Sequence, residues 1–469
     1  MKKGADPVIA LLYYKATIRS VIDFGSIFYG GACKSRLKKL DVIQNKSIRT
    51  SLGYLNSTPV DVMLNEAGEM PLSVRRQMLA DRYMIKLMSK SSPICGKLCH
   101  LSVKVLSANY WQKKISPLLV NSFTELSYIR AQMYSSEIAP IFKTNYSNLI
   151  QTLNIEFLLD NRDNPSYVSK IIFNANYEKH SDYYTLYTDG SKLDGRTGAA
   201  FYDPQLDYGA KFKLAPLCTV YSAELYAIKE ALRYINTLNH KKTVIYTDSN
   251  SSLQKLQNFK FSINNTHLLV EILELNREIV AADRMVKFVW IRSHVGIVLN
   301  EKVDDLAREA TVDGQTTDYR LTNEDVNTLS RQRAVASWSQ LYANEKGAFY
   351  KQYNPVAGQR KLWFRNLENS NKRFISSMCR LRSNHAICGE YLYKIGKVNN
   401  NLCDRCHEVD SAEHIIMECA KHDIQRKEFF NRLEKELTSP YNYICILSSN
   451  NVKIYEILYG FMVEAGIKV

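Results

Sequence analysis

Two runs of the same three residues, Tyr187-Thr188-Asp189 and Tyr246-Thr247-Asp248, each close an apolar, β-prone stretch with an aspartate. The stretches are Tyr183-Tyr184-Thr185-Leu186 and Thr243-Val244-Ile245. A carboxylate at a strand end is held stiffly, facing whatever lies beyond the sheet. Two of them on adjacent strands can share a divalent cation. A third acid, Glu224, lies on the apolar stripe Ile228, Ala231, Ile235 of a helix expected over 220–238, so it points towards the core. A fourth, Asp304, borders the buried face made by Val303, Leu306, Ala307 and Ala310 on a last helix, expected over 300–310. Burying a lone charge is unfavourable unless it is paired, neutralised or bound to metal. Four acids on four elements suit two Mg²⁺ ions about 4 Å apart, which prefer hard oxygen ligands and promote in-line phosphodiester displacement. Taken singly, a strand-end aspartate is more often a turn former or helix cap, and Glu224 alone is as readily half of a buried salt bridge. The four together outweigh those bland readings because each would have to hold independently.

A second constellation lies near the C-terminus. Cys403-Asp404-Arg405-Cys406, His414 and Cys419 give the spacing Cys-x2-Cys-x7-His-x4-Cys. Two thiolates separated by two residues reach one tetrahedral ion, and a histidine with a further cysteine completes a closed, structural zinc site. His407 or His422 can stand in for His414 on spacing alone.

The elements that must position the acids alternate. Strands are expected over 183–189, 197–203, 208–215, 243–248 and 285–291, with helices over 220–238, 265–281 and 300–310. Adjacent early strands followed by alternating elements imply an α/β fold, a mixed five-stranded sheet flanked by helices. Ahead of it, residues 1–100 read as a helical, basic arm. Leu37, Leu40, Ile43, Ile48 and Leu52 form one stripe there, and Arg36, Lys38, Lys39, Lys46 and Arg49 cover the other side. Residues 101–182 read as a connector, 312–400 as a polar helical linker region and 401–469 as a small helical, zinc-binding C-terminal region.

A chain of 469 residues is too long for one core. Its net charge of +15 favours a polyanionic partner. The excess is uneven: residues 1–110 carry seventeen Lys/Arg against seven Asp/Glu, whereas 183–310 carry sixteen against fifteen. The basic arm therefore suits contact with a nucleic-acid backbone, which gives affinity without sequence information; a solvated face of a helical bundle explains it equally well. Ten scattered or clustered cysteines do not suggest a secreted disulfide scaffold. Lys15 and Arg19 interrupt the early apolar residues, and no uncharged run approaches the roughly 18 residues of a membrane span. An intracellular protein, nuclear or cytoplasmic, with no membrane partner is expected.

The motifs Tyr187-Thr188-Asp189-Gly190-Ser191, Ser222-Ala223-Glu224-Leu225, Tyr246-Thr247-Asp248-Ser249 and Asn300-Glu301-Lys302-Val303-Asp304-Asp305-Leu306-Ala307 resemble type-1 ribonuclease H, in order and over residues 183–311. The resemblance implies that Asp189, Glu224, Asp248 and Asp304 hold two Mg²⁺ (Mn²⁺ serving in their place) and that the RNA strand of an RNA–DNA hybrid is cut. It also implies that His294, in Trp290-Ile291-Arg292-Ser293-His294-Val295-Gly296-Ile297, assists proton transfer or product release. Two positions depart: Arg292 stands where the family commonly has proline, and Leu299 where glycine usually precedes the Asn-Glu pair.

The wider layout, with the Leu37-Lys38-Lys39-Leu40-Asp41 and Glu66-Ala67-Gly68-Glu69-Met70-Pro71-Leu72 segments ahead and the cysteine cluster behind, is similar to the C-terminal part of non-long-terminal-repeat retrotransposon polyproteins. The aromatic-x-Asp-Asp motif of a polymerase is absent, the one Asp-Asp pair being Asp304-Asp305, so no polymerase activity is expected. Two alternatives to a hybrid-cutting nuclease remain at this level. One is an inactive or domesticated nucleic-acid-binding module; the other, a DNA-cutting transposase or integrase of related fold, fits less well because of the Ser-Ala-Glu helix between the aspartates.

Overall fold

The computed structural model describes residues 5–90, 92–134, 152–159, 164–260, 266–344, 346–358, 362–365, 367, 371–440 and 442–467. The chain divides into two compact units, one of residues 81–104 and 122–330, the other of 1–80, 105–121 and 331–469.

The first unit is built on one sheet. Between residues 154 and 316 its elements are β1 (Asn154–Phe157), α1 (Ser166–Lys179), β2 (Tyr184–Leu193), β3 (Arg196–Asp203), β4 (Tyr208–Leu214), α2 (Val220–Thr237), β5 (Lys242–Thr247), α3 (Asn250–Gln257), α4 (His267–Ala281), β6 (Met285–Trp290), α5 (Val298–Asp313) and β7 (Gln315–Thr316). The strand order is β1-β6-β5-β2-β3-β4-β7. β1, β6, β5 and β2 run parallel, and β3 and β4 continue antiparallel.

The sheet therefore has seven strands, not the five expected from the sequence. The two additions are short edges: β1, half-buried with no alternating pattern, pairs with β6, and the two-residue β7 pairs with β4. Neither carries the period-2 signal by which a strand is recognised. The short helix α3, also outside the expectation, buries little beyond Leu253 and Leu256.

Local chemistry explains the central elements. Asp194 and Gly195 adopt φ of +50° and +76° between the paired Leu193 and Arg196, the backbone a two-residue hairpin needs. The parallel β5 and β6 need crossovers, supplied by α2 and α4. Helices on both faces bury six consecutive residues of β2 and five of β5, so these strands lack the buried–exposed alternation of a sheet with one wet face. Two glycines let helices approach the sheet. A Cβ on Gly190 would lie 2.5 Å from the backbone nitrogen of Glu224 on α2, and one on Gly198 would overlap the Ala307 carbonyl on α5.

The second unit is helical. Ile48 and Leu52, from the helix Lys34–Leu52, share a core with Ile375, Met378, Tyr455 and Leu458 from the far end of the chain. At its centre Arg382 Nε donates to Glu66 Oε1 at 2.6 Å, both side chains fully buried, and Tyr350 and Trp363 donate to the same carboxylate. The apolar stripe of Lys34–Leu52 differs from the sequence reading at one place. Ile43 is exposed, and Gln44 takes the inward position, donating from Nε2 to the Met70 carbonyl at 3.0 Å. Among the described residues no helix is long and apolar enough to cross a membrane.

Candidate active site

β2 and β5 pair in parallel up to Thr188 and Thr247, so Asp189 and Asp248 follow the last pair side by side. Asp189 is not at the end of its own strand, because β2 runs on to Leu193 against β3. It is a strand end only towards β5. Behind the two aspartates, Tyr187 and Tyr246 stack with ring centroids 5.3 Å apart and fix the local spacing of the strands. Glu224 comes in from the first turns of α2, over Gly190. One carboxylate oxygen from each of Asp189, Glu224 and Asp248 lies within 4.8 Å of the others.

All three carboxyls are pushed above their ordinary range, first by burial and also by neighbouring carboxylates. Asp189 is raised to about 8 by burial, Asp248 and Asp304. Glu224 is raised well above the usual value by burial, Asp189 and Asp248. Asp248 is raised by burial and by Asp304, and drawn back by Asn300. Glu224 Oε2 is buried with no hydrogen-bond partner. Two buried acids and a half-buried third, with one orphaned oxygen, form an arrangement that a bound cation would relieve.

Asp304 stands at the rim. It falls outside the close group of three, and Arg308, one helical turn on, donates to its Oδ2 at 2.5 Å. His294 is likewise peripheral, its side chain three-quarters exposed and its Nδ1 3.7 Å from Asp304 Oδ2. Three residues the motif reading left aside support the aspartates. Trp290 Nε1 donates to the Asp248 carbonyl at 3.0 Å, Asn300 faces the Asp248 carboxylate, and Arg308 holds Asp304. The i,i+4 spacing of Asp304 and Arg308 is a signal the sequence carries; nothing in the sequence marks the Trp290 contact.

Residues 181–312, which include all five of these nuclease candidates, match the family model described as RNase H. This stretch is a ribonuclease H domain. No curated protein matches the chain. The ribonuclease H domain lies within the first compact unit, and β1 and α1 precede the matched stretch.

In the second unit, Cys403, Cys406, His414 and Cys419 come together, one ligand atom of each within 4.8 Å of the others. The Cys419 sulfur lies 3.7 Å from that of Cys403 and 3.9 Å from that of Cys406. With Zn–S bonds of about 2.3 Å, the edge of a tetrahedron is about 3.8 Å, so these separations fit a shared ion, whereas a disulfide would need about 2 Å. Burial raises the Cys403 thiol, but the backbone amides of Cys406 and Arg405 and the side chain of His414 outweigh it and bring the group down to about 7. His414 is buried, with Glu408 Oε2 3.2 Å from Nδ1 and no hydrogen-bond partner on Nε2. His407 and His422 lie outside the group: the His407 amide turns back to the Cys403 carbonyl, and the His422 ring meets Phe461 edge-on.

Proposed function

We propose that the ribonuclease H domain cleaves the RNA strand of RNA–DNA hybrids by metal-assisted phosphodiester hydrolysis, with Asp189, Glu224, Asp248 and Asp304 as the acids that hold two Mg²⁺, or Mn²⁺. The observation that carries this is the group of three carboxylates within 4.8 Å, two of them buried and one with an orphaned oxygen. Divalent ions bound there supply activation of the attacking water and stabilisation of the leaving oxygen. The protein's own part is to fix the oxygens before they are needed: the Tyr187–Tyr246 stack and the Trp290 donor set the aspartates, and the close approach at Gly190 sets Glu224. His294 keeps Nδ1 towards Asp304 on a largely exposed ring, where it can pass a proton to or from the site.

Around the nuclease, Cys403, Cys406, His414 and Cys419 hold one structural Zn²⁺ in this reading, supported by the sulfur–sulfur separations. The exposed Lys34, Arg36, Lys38, Lys39 and Lys46 of the helix Lys34–Leu52 contact the nucleic-acid backbone. A ribonuclease H domain followed by a Cys/His cluster supports derivation from a non-long-terminal-repeat retrotransposon. Ten unpaired cysteines suit a reducing compartment, cytoplasmic or nuclear. One observation favours the second reading, a module that grips hybrid without cutting: Arg308 already engages Asp304.

The two part on one assay. Full-length protein with Mg²⁺ should cleave a labelled RNA–DNA hybrid in its RNA strand, and Asp248→Asn should abolish cleavage while the melting transition remains. Absence of cleavage by the wild type in both Mg²⁺ and Mn²⁺, with hybrid still bound, would establish the binding module instead.

A further inference from the structure

The loop between β6 and α5 carries His294, and it is fastened at both ends. Ile291, Val295 and Ile297 are buried in one apolar cluster with Phe173 of α1. Between these anchors the backbone takes left-handed turns, with φ of +53° at His294 and +82° at Gly296. A non-glycine residue persists there only where the surroundings over-determine it. The surroundings include two side-chain contacts from outside the family-matched stretch. Arg292 Nη1 donates to the Asn164 carbonyl at 2.7 Å and to Ser169 Oγ at 3.1 Å. The Lys170 ammonium group lies where a Cβ on Gly296 would be, 2.5 Å from that point. Residues 164–170 lead into and begin α1, ahead of the matched residues 181–312.

We propose that Arg292 is a positioning residue. Its tether to the start of α1 holds the 291–297 loop so that the His294 imidazole stays over Asp304. The tether joins an element preceding the ribonuclease H match to the catalytic loop, so the β1–α1 segment belongs to the working nuclease rather than to a passive connector. The inference rests on the nuclease reading and deepens it. Both contacts come from a single nitrogen, so one lysine ammonium can reproduce them in part.

The test is a double-mutant cycle in the full-length protein on a labelled hybrid with Mg²⁺. Arg292→Ala should lower kcat by about tenfold with KM little changed, the scale of effect expected when a reacting group is slightly misplaced. In a His294→Ala background the same change should have no further effect, and Arg292→Lys should recover most of the loss. Losses that multiply across the cycle, or full activity in Arg292→Ala, would overturn the inference while leaving the nuclease reading in place. Hydrogen exchange judges the tether separately. Amides of residues 293–297 should exchange about tenfold faster in Arg292→Ala, as expected for a locally loosened loop. Unchanged exchange would overturn the tether, and a wild type that fails to cut would instead count against the nuclease reading.

Discussion

The two candidate metal sites are assembled in opposite ways. The thiol site spans residues 403–419, and its ligands are brought together by a short turn and one helix, Ala412–Met417, whose N-cap Ser411 accepts from the His414 amide. The acid site takes one residue from each of β2 and α2 and a third from just past β5, with Asp304 of α5 at its rim. It exists only because the sheet register and the close approaches at Gly190 and Gly198 put those elements together. A local site depends on its ion for order. A distributed site is ordered by the fold around it, and in the absence of an ion it loads that fold with carboxyls that are unfavourable to ionise. Removing a ligand should therefore do different things in the two places.

At the thiol site the effect should be largest. Zinc in closed tetrahedral sites contributes on the order of 10 kcal/mol to folding of the surrounding segment. Cys403→Ser should lower the metal content from about one zinc per chain to none and melt the 403–433 segment, read by metal analysis and by loss of exchange protection there. A metal-free wild type that keeps its protection would break the comparison from this side.

At the acid site, Glu224→Gln should abolish cleavage, by on the order of 10³-fold or more, without destabilising the metal-free protein. Glu224 is buried and pushed towards the neutral form, and the amide is close to the shape of the protonated acid. The pair of measurements, hybrid cleavage and thermal melting in chelator, separates a ligand from a structural residue. A large drop in melting temperature would mean that Glu224 holds the fold together and would erase the contrast with Cys403.

The pH dependence sharpens the same point. Asp189 rises from 3.8 in the unfolded chain to about 8 in the fold. Between those values the metal-free native state retains a proton that the unfolded chain has released. Its contribution is fully present below the unfolded value and is lost as pH rises through the folded one. Metal-free protein should thus lose melting temperature as pH climbs from about 4 towards 8, by several degrees. Mg²⁺ should restore the loss, most at the alkaline end, where the carboxylates are free to bind it. A melting temperature that rises over this interval in chelator would contradict the burial of the acids.

How far each site could be read in advance follows from the same difference. The Cys-x2-Cys spacing is written in consecutive residues, and the structure adds to it the choice of His414 over His407 and His422. Asp189 and Asp248 stood out because each closes an apolar, β-prone stretch with the same Tyr-Thr-Asp run, and Glu224 because helical periodicity put it inward. What the sequence concealed depends on partners distant in the chain or on very short elements. Nothing near Glu66 announces Arg382, and nothing in Asn154–Phe157 announces an edge strand. Gln44 displaces Ile43 from the inner face because the Met70 carbonyl offers it a hydrogen bond. Asp304 was legible as an acid bordering a buried face, yet its place at the rim is set by how α5 seats on β3 over Gly198.

The smallest effect should come from the one acid that already has a cation. Arg308 is half-exposed and bridges Asp304 and Asp305. An exposed pair of this kind contributes about 0–1 kcal/mol, so Arg308→Ala should leave the melting temperature almost unchanged. Its functional effect has a definite sign. If Asp304 must turn from the guanidinium to a divalent ion, removing the competitor should lower the Mg²⁺ concentration for half-maximal cleavage by a few-fold, with kcat little altered. If Arg308 instead holds Asp304 in its working position, the Mg²⁺ requirement should rise and kcat should fall. A Mg²⁺ titration of the variant beside the wild type thus decides whether the rim of the distributed site is ordered by the fold, like its three inner acids, or waits for its ion, like the thiols.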